Sequence, residues 1–130
     1  MDTLKLALIL TIENTLGITL KQTDFMLKKS FSSQIILGSY SFIVVINKAL
    51  LNKFAFDFLD DKNPNFDTIR DISKEITNLI IGKAKVLFEE KGDIFKLGTP
   101  SFIGNQVIKN YNESVHCKFS KFRCSIYKVH

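Results

Sequence analysis

The feature that most limits how this chain can fold is one unbroken helical pattern from Phe66 to Glu90, preceded by the polar, Pro64-containing stretch from Asp60 to Asn65 and closed by Gly92. A helix advances about 100° per residue, so Ile69, Ile72, Ile76, Leu79, Ile80, Lys83 and Leu87 fall on a stripe roughly 100° wide, which predicts the core-facing side. A second helix is expected from Thr3 to about Leu16, apolar at Leu4, Ala7, Leu8, Ile12 and Leu16 and stopped by Gly17. Leu6, Ile9 and Leu10 widen its stripe and predict cover on more than one side. A third, short helix is expected to be capped by Asn47 and to run through Phe54 or Phe58, with Ala49, Leu50, Leu51 and Phe54 as its apolar side.

The rest reads as strands. Ser33–Leu37 and Tyr40–Ile46 flank Gly38-Ser39 as a hairpin, and Ile94–Leu97 and Ser101–Ile103 flank Thr99-Pro100. Between Val115 and Val129 the apolar parity switches at Ser120-Lys121. A tight turn there pairs Phe119 with Phe122, Cys117 with Cys124 and Val115 with Ile126 on one buried face. The predicted fold class is α+β, one domain over residues 1–130, with helices packed on an antiparallel-rich sheet and the long helix central.

Composition removes several function classes. At 130 residues the chain holds one core, and 45% hydrophobic against 24% charged residues is the balance of a globular protein rather than a disordered one. The apolar run Leu4–Ile12 carries Lys5, lacks a cleavage-site pattern and is far shorter than the roughly 20 residues that span a bilayer, so neither a signal peptide nor a membrane segment is expected. That predicts a cytoplasmic protein with reduced thiols. The formal charge of +5 would attract an acidic partner. Lys109, Lys118, Lys121, Arg123 and Lys128 are interleaved with Tyr111, Phe119, Phe122 and Tyr127, but the phenylalanines fall on the apolar parity. Core packing therefore accounts for them better than nucleic-acid binding. His116 is placed on the polar side of a strand and His130 at the chain end, so neither is expected to act with a cysteine or to hold a metal. Cys117 and Cys124 are expected as small core residues facing each other.

Chemistry is concentrated on the long helix. Glu75 and Asn78 are three residues apart and hence neighbours, away from the apolar stripe, with Asp71 one turn before and Gly82 one turn after on the same side. Gly82 costs roughly 1 kcal/mol relative to alanine inside a helix, which points to close approach by something. By themselves, two polar residues at this spacing describe a solvated helix face as well as they describe a site. A partner contact from Ile81, read as exposed, would add to that face.

The stretch Asp71-Ile-Ser-Lys-Glu75-Ile-Thr-Asn78-Leu-Ile-Ile-Gly82-Lys83-Ala84 resembles the signature helix of the CheC/CheX/FliY phosphatase family, Glu-x-x-Asn followed at four residues by Gly. Thr99-Pro100-Ser-Phe-Ile-Gly104 is similar to the strand that follows that helix in the family. The likeness runs from about Thr3 to Val129 and departs at Ser120-Lys-Phe-Arg123, where the family often has Thr and Gly. A single Glu-x-x-Asn helix makes the chain look like CheX rather than two-site CheC.

The resemblance implies hydrolysis of the aspartyl phosphate on a CheY-like response regulator, with Asn78 holding the attacking water and Glu75 meeting the receiver's active-site Lys. Asp71, Lys74 and Gly82 are the expected partner-binding residues. It implies a cytoplasmic homodimer with no cofactor of its own, magnesium being carried by the response regulator, and no nucleic-acid or membrane partner. A receiver-binding adaptor or flagellar-switch component with little turnover is the alternative the same fold allows.

Overall fold

Two asparagines start two of the helices by the same device. Asn47 Oδ1 accepts from the Leu50 N–H at 3.3 Å and Asn65 Oδ1 from the Thr68 N–H at 2.9 Å, each satisfying a donor that the first helical turn leaves free. The computed structural model describes residues 1–129, so His130 lies outside it. Its elements are α1 (Asp2–Leu16), β1 (Lys21–Gln22), β2 (Phe31–Leu37), β3 (Tyr40–Ile46), α2 (Lys48–Leu59), α3 (Phe66–Glu90), β4 (Ser101–Gly104), β5 (Glu113–Phe119) and β6 (Phe122–Val129). The expected α+β architecture is present. The strands form one sheet in the order β1-β5-β6-β3-β2-β4, every neighbouring pair antiparallel.

The first hairpin turns at Gly38-Ser39 as expected, and the last has the register that side-chain parity predicts. Leu37 pairs with Tyr40 across Gly38-Ser39, and Val115, Cys117 and Phe119 pair with Ile126, Cys124 and Phe122. Gly38 sits at φ 64°, and a Cβ there would lie 2.7 Å from the Phe95 ring, so both conformation and space require glycine. One sheet face carries Ile35, Leu37, Phe42, Val44, Ile46, Cys124 and Ile126 into the main core with the helices. α3 is central to that layer, packing on α1, α2 and β2.

The opposite sheet face is also covered. Ile43, Val45 and Tyr127 pack with Ile108, Met26, Leu27 and Tyr111 from the segments before β2 and before β5. The Tyr127 hydroxyl donates to the Leu27 carbonyl at 2.9 Å, and the Ile108 N–H to the Lys28 carbonyl at 2.9 Å. His116 is therefore buried rather than set on an open polar face, with Ser125 Oγ 2.6 Å from Nδ1 and Ser114 Oγ 2.9 Å from Nε2. Burial, reinforced by Lys28, lowers its pKa and favours the neutral ring. Burial pushes the Cys117 thiol up to about 11 and Cys124 well above its ordinary value, so both are packing groups and not thiolate nucleophiles.

Several local expectations are corrected. Ile94–Leu97 is not a strand: the segment makes a single bridge, Leu97 to Leu37, and its first residue, Ile94, stands out in solvent. Phe119 is half exposed, since it stands at the hairpin end beyond the helices' reach. α1 is covered by α3, β5 and α2 over a broad arc, as its wide apolar stripe predicts, but Leu6 lies outside that arc and is exposed. Ile81 is fully buried. The buried face of α3 adds Ser73, Thr77, Ile81 and Ala84 to the isoleucines and spans about 180° of the wheel, because the helix lies between the sheet and its neighbouring helices.

Candidate functional site

The width of that buried face determines what α3 shows to solvent. Its centre turns toward Ser73 and Thr77, which leaves Glu75 and Asn78 each about 150° from the middle of the core side, on the outward ridge. Ser73 Oγ lies 3.1 Å from Ser33 Oγ of β2, which ties the helix's rotation to the sheet, while buried Thr77 satisfies its own hydroxyl within the helix by donating to the Ser73 carbonyl at 2.8 Å. Larger side chains at those positions would push α3 away from β2.

Glu75 is exposed and Asn78 half-buried. Together with Asp71 and Lys74 they line an open cleft of about 510 Å³, whose opposite wall is Gly98-Thr99-Pro100. That wall is rigidly hung on the sheet. The Gly38 N–H donates to the Lys96 carbonyl at 2.8 Å, and the Gly98 N–H donates to the Ile36 carbonyl at 2.7 Å. A Cβ on Gly98 would come within 3.2 Å of that same carbonyl oxygen. Pro100 then ends the segment, and β4 begins pairing with β2 at Ser101. The sequence marks Thr99-Pro100 as a break between strands and as the start of a family-like strand, but not as a wall of the cleft, which depends on Leu37 meeting Leu97 across the fold.

The charges in the cleft are unevenly paired. Asp71 lies 3.5 Å from Arg70 Nε and 3.8 Å from Lys74 Nζ, exposed contacts that add little stability. Among the described residues no cation lies within ion-pair distance of Glu75, and the Asn78 amide has no hydrogen-bond partner. A carboxylate and a carboxamide thus stand one helical turn apart with their bonding capacity free. Gly82 does not line the cleft. It lies in an adjoining open groove with Asn78, Leu79, Val86 and Leu97, so Asn78 borders both depressions. A Cβ on Gly82 would meet only Leu97 Cδ2, at 3.8 Å, an ordinary contact, so the fold itself does not need glycine there. Among the described residues no group of three or more His, Cys, Asp or Glu could hold a metal ion. None of the helices there is long and apolar enough to cross a membrane.

Residues 32–122 match the family model described as chemotaxis phosphatase CheX. Similar solved structures include the chemotaxis protein CheX from Vibrio vulnificus, with a TM-score of 0.83 and 16% identity over 98% of this chain and 93% of that one. A chemotactic CheC-like protein from Shewanella oneidensis has a TM-score of 0.77 and 20% identity over 99% and 95% of the two chains. A chain of the CheX–CheY–BeF3–Mg2+ complex from Borrelia burgdorferi has a TM-score of 0.72 and 16% identity over 98% and 95%. No curated protein matches the sequence.

Proposed function

The chain belongs to the CheX family of chemotaxis phosphatases, and from that premise we propose that it hydrolyses the aspartyl phosphate of a CheY-like response regulator in the cytoplasm, using Asn78 and Glu75. The observation that carries the reading is the unpaired carboxylate and carboxamide, one turn apart on α3, at the edge of an open cleft. The family's relative from Borrelia burgdorferi forms a complex with CheY, which supports a receiver domain as the partner.

The residue types suit the reaction. An acyl phosphate is already activated and the receiver brings its own magnesium, so what remains to be supplied is position. The Asn78 carboxamide both donates and accepts, and so can hold a water in line with phosphorus. Attack forms the new P–O bond as the bond to the aspartate oxygen breaks, and the aspartate leaves as a carboxylate. Glu75 pairs with the receiver's active-site Lys, which docks the helix and turns that Lys toward the phosphoryl group. Asp71 and Lys74 flank the contact, and Gly82 gives the receiver's backbone room beside Asn78. The same reading takes the protein as a homodimer joined through sheet edges, and as needing no cofactor of its own.

The test is phosphate release from a phosphorylated CheY-like receiver, with this chain and with its Asn78 variant. Two further outcomes are expected. Glu75→Ala weakens receiver binding about tenfold or more, because it leaves the receiver Lys without its partner at a desolvated contact, and turnover falls with it. Unchanged affinity by titration calorimetry would remove Glu75 from the docking surface. Gly82→Ala raises thermal stability, by about 1 kcal/mol from helix propensity, yet lowers turnover several-fold by narrowing the approach to Asn78. A stabilised variant with full turnover would show that the space over Gly82 is not used.

A further inference from the structure

α2 starts beside the β5–β6 turn because Asn47 ties the two together. Its Nδ2 donates to the Lys121 carbonyl at 2.7 Å, its Oδ1 accepts from the Arg123 N–H at 3.1 Å, and its own N–H donates to the Arg123 carbonyl at 3.2 Å. These bonds gather Lys48 and Lys53 of α2, Lys62 of the α2–α3 loop and Lys121 of the hairpin turn around one open groove of about 560 Å³. It shares no residue with the cleft at Glu75 and Asn78. Lys53 is paired with Asp57 at 3.0 Å, whereas Lys48, Lys62 and Lys121 are exposed and, among the described residues, meet no carboxylate. Between the lysines lie Phe56, 51% exposed, and Phe122, with Lys121 Nζ 5.6 Å from its ring centre.

We propose that this groove docks an acidic polypeptide segment bearing a large apolar side chain, as a second interaction surface independent of the phosphatase face. Three unpaired cations from three separate elements converge on it, in a chain already carrying a surplus of +5, which fits a partner of the opposite sign. The groove is concave with two phenyl rings along it, a shape that takes a side chain and that a flat bilayer surface does not fill. Asn52 also lines it.

The probe is a fluorescently labelled peptide of about 12 residues, mostly Asp and Glu with two Phe, followed by anisotropy at about 50 and 300 mM salt. The wild-type chain is expected to bind it, several-fold more weakly at the higher salt. The triple variant Lys48→Glu/Lys62→Glu/Lys121→Glu is expected to bind at least about tenfold more weakly than wild type, with unchanged melting temperature and unchanged receiver dephosphorylation. A peptide with its Phe residues replaced by Ser should lose several-fold. Equal affinity of wild type and triple variant overturns the proposal. So does tighter binding of phosphatidylserine vesicles, or of an oligothymidylate of similar length, than of the peptide. Because the probe contains no receiver and no phosphate, this result stands or falls separately from the phosphatase assay.

Discussion

Asn78→Ala lowers phosphate release from a phosphorylated receiver by roughly 100-fold or more while changing receiver affinity less than about threefold. The asymmetry follows from what the side chain does in the proposed reaction. A water that is not held in line must be found by chance in each encounter, and loss of such positioning costs on the order of 10²-fold. Docking, by contrast, rests on the Glu75 charge pair and on the area of α3 around it, which the truncation leaves in place. The helix should also tolerate the change. Asn78 is half-buried and makes no hydrogen bond among the described residues, and alanine is the better helix former. A stopped-flow dephosphorylation series beside calorimetric titration separates the two quantities. Equal loss of binding and turnover would make Asn78 a docking residue. Full turnover in the variant would remove Asn78 from the reaction, and low turnover in the wild-type chain with intact binding would leave the receiver-binding adaptor.

Ile76→Ala destabilises the protein by about 2–5 kcal/mol, a large share of the 5–15 kcal/mol that holds a domain of this kind together. Ile76 is 1% exposed and sits between Glu75 and Thr77 on the side of α3 that faces the core. Removing three carbons there opens a cavity that the packed helices and sheet cannot fully close. Chemical denaturation should show the midpoint falling with little change in slope, and the melting temperature should drop by roughly 10 °C. Well below that temperature the variant should dephosphorylate the receiver within a few-fold of wild type, because its neighbours still point outward. Val86→Ala, on the exposed ridge of the same helix, is the contrasting substitution and should stay within about 0.5 kcal/mol. A loss below 1 kcal/mol at Ile76 would mean that this side of α3 is not the anchored one.

How much of this could be read without coordinates depends on the range of the interaction involved. The limits of α3, the caps at Asn47 and Gly17, and the pairing of Cys117 with Cys124 are set by neighbours a few residues away, and the chain order alone carries them. Glu75 and Asn78 could be paired in advance for the same reason: helical spacing makes them adjacent whatever lies elsewhere. The isoleucine stripe, however, marked only part of the buried side of α3. Ser73 and Thr77 are polar by composition, and nothing local says that both are buried or that Ser73 meets Ser33 of β2, 40 positions away.

The same blindness placed Ile81 on the outside and His116 on an open strand face. Each is covered by a segment distant in sequence: Ile81 by the layers on both sides of α3, His116 by the elements around Tyr127 and Leu27. The wall at Gly98-Thr99-Pro100 is likewise made by backbone bonds to Ile36 and Gly38, and it turns an exposed helix ridge into one side of a cleft. Sequence by itself determined which residues stand next to each other along each element and hence the carboxylate–carboxamide pair. Only the tertiary structure decided which way the helix is rotated and what stands opposite it, because rotation and enclosure come from contacts between segments whose separation along the chain hides their proximity in space.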